Sequence, residues 1–512
     1  MGPRQIFYNA AFLAGFTVMA PAWGLKMWRR GNPLQNFGQR LGRYSADVRA
    51  QLANWRQAIE AEELAAAGEG LATARRGSGK ACDLWIHAVS VGEMKLASIL
   101  LLSMRRLQPG LRVVITTTTA TGYAVGRALE DERTLILFNP IDFGPCVGAA
   151  FRTIAPRRLV LIESEIWPNW MWTARREGIP VYLVNTRLSP RSEARYIRFA
   201  ALVRPLLAEL TLVFAQEPED VQRLTRAGFP AESIFHVGSM KYDVANLPLR
   251  NAAAFDAWWL RLCWAPDDVV LLAASTHAGE EELFAKLYVQ LRQRFPKLRL
   301  VIAPRHAERG KAILAMCKQL GLNTIARTWI EAAHPAAPAP DVLVLNTTGE
   351  LVGVYQRATI VYVGKSLGPR AGGQNFIEAA RFGLPIIVGP NMQNFPAITR
   401  EFLGQQALVQ IQDAAELERV VEELCADESR RRTLGDAARR TFQAHLGASE
   451  RTAEHIVQSL AHEDFAVDAK RCRPGLRPDA ESTPGAPPSR SPRHLLASGP
   501  GHPAPAPGQP AR

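Results

Sequence analysis

Two stretches place carboxylates just after apolar runs, where acid–base chemistry is possible. Trp85–Glu93 reads W-I-H-A-V-S-V-G-E: a strand, a glycine turn, and Glu93 at a helix start. Lifted from the carboxyl end of a strand, Glu93 is placed to act as a general base. Ser90 to Glu93 also spells a capping box, in which Glu93 reaches back to a backbone N–H. The sequence leaves both readings open. Leu161–Asn169 reads L-I-E-S-E-I-W-P-N, and alternation puts Glu163 and Glu165 on one side of an extended chain. Two carboxylates there need a cation nearby. Arg187, in N-T-R-L-S-P-R-S, and Lys241, in V-G-S-M-K-Y-D, are the candidates, and plain salt bridging explains each equally well.

The second half carries a different chemistry. Val361 to Phe395 begins as a β-rich run and enters a loop holding Gly364, Gly368, Gly372 and Gly373. A helix follows, with Gln374 and Asn375 at its start and Glu378 in its first turn, and then the strand Pro385–Val388. Glycines admit a close ligand, and a helix start offers N–H groups to an anion. Glu378 is placed to accept from a ribose diol. The spacing is neither the dinucleotide fingerprint nor a Walker loop, so an ordinary helix entry stands beside the phosphate reading. Ser275 and Thr276, in A-A-S-T-H-A-G-E-E-E, read as helix caps. Arg305, in A-P-R-H, follows a strand and suits a phosphate, and T-T-G-E-L (Thr347–Leu351) opens another helix. His277 and His306 stand alone, and nothing has zinc-ligand spacing, so no metal is expected.

These residues must be positioned by strands. The expected strands are Leu84–Val89, Arg112–Thr116, Leu135–Phe138, Arg158–Ile162, Val181–Val184 and Leu212–Phe214. After Asn246 the pattern restarts with Val269–Ala273, Leu298–Ala303, Val342–Leu345, Ile360–Val363 and Pro385–Val388. Helical segments lie between them, and three more run from Asp413 to His462. Two blocks of strand–helix alternation predict two doubly wound α/β domains with ligands at the carboxyl ends of the strands.

The ends differ. Ile6 to Trp28 is the most lipid-like segment, with Ala10–Leu25 free of charge. That is short of the roughly 20 residues of a comfortable span, so spanning, interfacial and buried readings all stand. Trp23 and Trp28 suit an interface, and Lys26, Arg29, Arg30, Arg40 and Arg43 would hold the rest of the chain on the cytoplasmic side. The chain downstream is expected to fold without this segment. From Ala469 to Arg512 the chain is rich in Pro, Arg, Ser, Ala and Gly without hydrophobic period, which predicts disorder. The net charge of +13 over 512 residues suits nucleic acid, anionic lipid or a phosphorylated substrate. Basic residues occur throughout rather than in an aromatic-interleaved stripe, which disfavours nucleic acid. The six cysteines form no C-x-x-C pair, so no disulfide framework is indicated.

Taken in order, S-V-G-E, E-S-E-I-W-P-N, N-T-R-L-S, G-S-M-K-Y-D, A-S-T-H-x-G-E-E, A-P-R-H, G-E-L and G-G-Q-N-x-x-E resemble the 3-deoxy-D-manno-octulosonic acid (Kdo) transferases of lipopolysaccharide assembly. The resemblance runs to about His462. It implies a GT-B glycosyltransferase: two Rossmann-like domains facing across a cleft, an N-terminal membrane-anchor helix and a disordered tail. The implied domains are an anchor or interfacial segment over 1–31, an acceptor-binding domain over 32–248, a CMP-sugar-binding domain over 249–464, and the tail over 465–512. The implied reaction moves Kdo from CMP-Kdo to a lipid A precursor at the cytoplasmic face of the inner membrane. It inverts the sugar and uses neither metal nor cofactor. By the same resemblance Glu93 matches the proton acceptor, and Glu163 and Lys241 match residues that stabilise the transition state. Pro304, Arg305, Gly349, Glu350, Leu351, Asn375, Phe376, Ile377 and Glu378 match the CMP-binding segments. Two positions depart from the family: Gln374 and Asn391 stand where it often has histidine, and neither can become an imidazolium. The alternatives are another GT-B enzyme, such as a nucleotide-sugar 2-epimerase or an N-acetylglucosaminyl transferase, and a non-catalytic, membrane-tethered sugar-nucleotide-binding protein.

Overall fold

The computed structural model describes residues 2–29, 36–67, 78–248, 251–332, 338–368 and 372–461. The first sheet is built from β1 (Cys82–His87), β2 (Val113–Thr117), β3 (Thr134–Phe138), β4 (Pro156–Ile162), β5 (Val181–Thr186), β6 (Leu210–Ala215) and β7 (Ile234–His236). Its order is β3-β2-β1-β4-β5-β6-β7, all parallel. The second holds β8 (Val269–Thr276), β9 (Leu298–Pro304), β10 (Thr324–Ala326), β11 (Val342–Val344), β12 (Ile360–Val363), β13 (Ile386–Val388) and β14 (Val409–Gln410). Its order is β10-β11-β9-β8-β12-β13-β14, also parallel.

Helices cover both faces of each sheet, which is why the strands are apolar runs rather than alternating ones. Along β1, Leu84 and Ile86 pack into one helical layer while Cys82 and Trp85 pack into the other. Along β8, Leu271 and Ala273 face one layer and Leu272 and Ala274 the opposite one. The doubly wound reading therefore holds. The three strands absent from the sequence reading, β7, β10 and β14, are all edge strands of two or three residues. Such short pieces pair on one side only and carry no apolar run of their own.

The helix Glu428–Ala444 packs Ala437, Ala438 and Phe442 against the second sheet. The chain then turns at Gly447 (φ 90°) and Ala448–Ala461 crosses back to the first sheet. There Ala448, Ala453 and Ile456 join the core, and Tyr182 donates to Ser459 Oγ at 2.8 Å. Its place in the chain groups this helix with the second block, but it packs on the first.

The N-terminal segment forms one helix, Pro3–Arg29, and of its three readings the spanning one fails. Among the described residues, no helix is long and apolar enough to cross a membrane. One side of its first half is polar and docked on the protein. Tyr8 donates to Asp142 at 2.7 Å, Asn9 and Asn169 exchange side-chain amide bonds at 3.2 and 3.1 Å, and Gly144 N donates to Asn9 Oδ1 at 2.8 Å. Lipid could not satisfy that face. The opposite side stays apolar and exposed through Ile6, Phe7, Leu13, Val18 and Met19. Removing the helix would strip partners from buried Asn169 and Asp142. Arg40 is no surface cation either: it is buried, donates to Thr118 O at 2.8 Å, and lies 4.4 Å from the Phe138 ring centre. Arg43 is exposed. The side chains of Trp23, Lys26, Trp28, Arg29 and Arg30, and the tail over 465–512, lie outside the described residues.

This docking predicts a stability effect. Asn9→Leu should cost about 1–3 kcal/mol, because half-buried Gly144 N and buried Asn169 lose their partners. Chemical denaturation would measure it. A variant as stable as the parent would show that the helix is not docked in solution.

Candidate active site

In the first sheet β1 and β4 are neighbours whose chains leave in different directions, which opens a crevice at their carboxyl ends. Glu93 enters it from the Val91–Leu107 helix. Its Oε2 accepts from Val89 N at 2.7 Å and its Oε1 from Ser90 Oγ at 3.1 Å, while Glu93 N donates to Ser90 Oγ at 3.5 Å. The capping contacts are therefore real, and they also hold the carboxyl still. Burial pushes its pKa up to about 7, and the charges of Glu163 and Glu165 add to this against the Val89 and Ser90 hydrogen bonds. A carboxyl poised there suits proton transfer near neutral pH.

Glu163 does not continue an extended strand. It takes φ 62°, a left-handed conformation uncommon for a side chain with a Cβ, so the expected alternation with Glu165 fails. Lys241 Nζ lies 3.1 Å from Glu163 Oε1. Burial raises the Glu165 pKa, and its Oε2 accepts from Trp167 Nε1 at 3.1 Å. Of the two candidate cations, Lys241 thus meets a carboxylate, while Arg187 reaches Asn394 O in the second half at 3.4 Å.

Lys241 sits on a short helix, Met240–Ala245, that serves as a joint. Asn185, at φ 55° on β5, accepts from Met240 N at 3.0 Å and fixes its start. Buried Tyr242 stacks on His445 with ring centres 4.4 Å apart. Asp243 accepts from Gly447 N at 2.8 Å and Ser449 N at 2.6 Å, capping the helix that returns to the first sheet. Arg381 Nη1 donates to Ala245 O at 2.8 Å and Leu247 O at 2.5 Å. The K-Y-D motif was visible in the sequence, but only its lysine received a role.

The second sheet has its own crevice, between β8 and β12. Ser275 (φ 53°) and Lys365 (φ 58°) turn their chains there. Ser275 and Thr276 do not cap the next helix, Glu280–Leu291; its N-cap is Gly279. Buried Glu280 is the organiser. Its oxygens accept from His277 N (2.8 Å), Lys365 N (2.8 Å), Ser366 N (3.2 Å), Leu367 N (3.3 Å) and Tyr362 Oη (2.7 Å). One carboxylate so ties both loops together. A Cβ on Gly364 would lie 2.7 Å from Ser275 O and from Thr276 Cα, so only glycine fits beneath.

The candidate nucleotide residues end or follow β9, β11 and β12 along the chain. Arg305 N donates to Thr276 O at 2.9 Å, and its side chain is exposed without an ion-pair partner among the described residues. His277 and His306 meet edge to face at 5.9 Å, and Gln374 Nε2 lies 3.4 Å from His277 Nε2. The glutamine at the family's histidine position therefore faces an imidazole. Burial lowers the His277 pKa, and its neighbours partly cancel: Glu280 and Glu281 raise it, Lys365 and His306 lower it further. Pro304 ends β9, and Gly349 (φ 94°) leaves open space where a Cβ would stand. Glu350 is bound by Arg327 at 2.9 Å and by Thr347, and Leu351 packs against the core. Asn375 Oδ1 accepts from Ile377 N at 3.1 Å. Phe376 and Ile377 are core residues, so only their backbone can meet a ligand. Burial raises the Glu378 pKa, while the charges of Lys95 and Arg381 oppose the rise. Lys95 comes from the helix of Glu93; no motif marks it in the sequence, yet its charge reaches a carboxyl of the other half.

Among the described residues of the glycine loop, the N–H groups of Gly372 and Gly373 are already taken. Gly372 N and Gly373 N both donate to Lys365 O, at 2.9 and 2.8 Å. The helix beyond, Ile377–Arg381, has five residues and little dipole. A recess of about 770 Å³ opens beside the joint, between residues including Gln216, Glu217, His236, Arg400, Glu401 and His445. No candidate residue from the sequence lines it.

Comparison with known proteins adds an independent line. Residues 35–244 match the family model described as 3-Deoxy-D-manno-octulosonic-acid transferase (kdotransferase). The chain is 35% identical over 416 residues to the 3-deoxy-D-manno-octulosonic acid transferase of Bordetella pertussis, covering 78% of this chain and 94% of that one. It is 31% identical to the Haemophilus influenzae protein of the same name over 369 residues, 72% of this chain and 85% of that one. Among solved structures, a UDP-GlcNAc 2-epimerase from Neisseria meningitidis matches with a TM-score of 0.53 at 11% identity, covering 74% of this chain and 99% of its own. That likeness shows the fold, and the GT-B arrangement expected from the resemblance is the one observed. The C-terminal CMP-Kdo binding domain of WaaA from Acinetobacter baumannii is 29% identical and covers 37% of this chain and 99% of its own, with a TM-score of 0.34.

Proposed function

The chain belongs to the Kdo transferase family of glycosyltransferases, and on that premise we propose that it moves Kdo from CMP-Kdo to a hydroxyl of a lipid A precursor. The observation that carries this reading is the 35% identity with a relative covered over 94% of its length. The geometry supports a way to do it. An acceptor oxygen attacks the anomeric carbon, its proton passes to the carboxylate of Glu93, and the bond to the CMP phosphate breaks. A single displacement from the face opposite the leaving group inverts the anomeric centre. The Glu163–Lys241 pair stands beside Glu93 and supplies fixed charge where the transition state forms. Arg305 receives the departing phosphate, and Glu378 accepts from the ribose. No step calls for a metal.

Two substitutions test the donor site. Arg305→Ala and Glu378→Ala should each weaken CMP binding by about 1.5–3 kcal/mol, the cost of losing a charge-assisted contact. Calorimetry would read it. Unchanged affinity in both variants would remove these residues from the nucleotide site.

The lipid acceptor places the enzyme at the inner membrane, on its cytoplasmic face. The exposed side of the N-terminal helix, with Phe7 77% and Val18 81% exposed, supplies apolar area for lying on the bilayer rather than crossing it.

A further inference from the structure

The helices Pro190–Arg198 and Ala200–Leu207 meet in a corner at Phe199. Its inner side is anchored. Leu207 is in the core, Val203 and Leu206 pack against it, and Tyr196 meets Phe229 edge to face at 5.9 Å. Its outer side is apolar: Ile197 is 50% exposed, Phe199 49% and Leu202 67%. Exposed Arg191, Arg195 and Arg198 frame these tips, and none forms an ion pair among the described residues. Arg198 lies over the Phe199 ring at 5.5 Å, and Arg195 meets only Ser192 Oγ, at 3.3 Å. The nearest acid in sequence, Glu193, is taken by Arg226 at 2.6 Å. The corner is therefore apolar at its tip and cationic at its rim.

The corner also adjoins the reacting groups. Ser164, between Glu163 and Glu165, donates to Arg187 O at 3.2 Å, and the chain runs from Arg187 directly into the first of the two helices. Trp167, 37% exposed, flanks the same loop.

We propose that this corner is a second bilayer-contacting surface, which seats on anionic lipid and presents the lipid headgroup layer to the Glu93 crevice. Apolar tips ringed by unpaired guanidinium groups match a surface that inserts side chains below anionic headgroups. The identity of the acceptor rests on the function proposed above. The lipid contact itself needs no turnover, so the two can fail separately.

Flotation of the full-length protein with vesicles tests it, using phosphatidylcholine alone and phosphatidylcholine with about one third phosphatidylglycerol. The triple variants Ile197→Ser/Phe199→Ser/Leu202→Ser and Arg191→Gln/Arg195→Gln/Arg198→Gln should each lose anionic-vesicle binding by about tenfold or more. Both should keep CMP affinity and turnover of detergent-dispersed acceptor. High salt should erase the difference between the arginine variant and the parent. If the serine variant does not fold, the arginine variant decides alone, because its substitutions are on exposed residues. Undiminished flotation of the variants overturns the proposal. So does light scattering that shows a parental dimer dissolved by the serine substitutions, which would make a second copy the occupant. Flotation that drops in the variants only when residues 462–512 have been removed overturns it as well, since the tail would then cover the corner.

Discussion

Glu93→Gln is expected to lower turnover by about 10²-fold or more while leaving the fold and CMP affinity in place. Glutamine keeps an oxygen for Val89 N and a similar shape, so the helix start survives. What it loses is the ability to take a proton. The pH dependence follows with a definite sign. A general base works deprotonated, and burial with help from Glu163 and Glu165 puts the Glu93 pKa at about 7. The rate should therefore rise through about pH 7 and level off above it, and the variant should lack that limb. Stability moves the other way. The folded-state pKa lies above the ordinary 4.5, so the Glu93 contribution is full below pH 4.5 and is lost as pH rises through about 7. Above pH 7 the glutamine variant should be no less stable than the parent. A variant that keeps parental turnover and is destabilised instead would reduce Glu93 to a capping residue.

Glu280→Ala should be the most damaging change to the second half, costing at least about 3 kcal/mol of stability. It orphans four backbone N–H groups and the Tyr362 hydroxyl at the point where the β8 and β12 loops cross. CMP affinity should fall with it, because the same loops position His277 and Arg305. Denaturant titration with and without CMP would measure both. A loss under about 1 kcal/mol would mean that the loops hold themselves without the carboxylate.

The strands in the middle of each sheet were legible because helices on both faces force an unbroken apolar run on them. The edge strands β7, β10 and β14 were not, since two or three residues paired on one side need no such run. Glu93, Glu163 and Lys241 could be picked out as charges following strands. Their meeting depends on a left-handed turn at Glu163 that local alternation argues against. Glu280 was visible only as one of three acids at a helix start; its role depends on Lys365 and Ser366, more than eighty residues away. Lys95 was hidden for the same reason, since its relation to Glu378 exists only once the halves face each other. The N-terminal helix misled in the opposite sense. Its charge-free run left spanning, interfacial and buried readings open, whereas Gln5, Tyr8 and Asn9, outside that run, supply the polar side by which it docks.

The most direct measurement is one incubation of the purified full-length protein with CMP-Kdo and a bisphosphorylated lipid A precursor, with the lipid products weighed by mass spectrometry. The expected result is lipid heavier by one or more whole Kdo residues and CMP released in equal amount, both abolished by Glu93→Gln. Unmodified lipid despite intact CMP-Kdo binding, or transfer at the parental rate by the Glu93→Gln variant, would contradict the proposed function or its mechanism respectively.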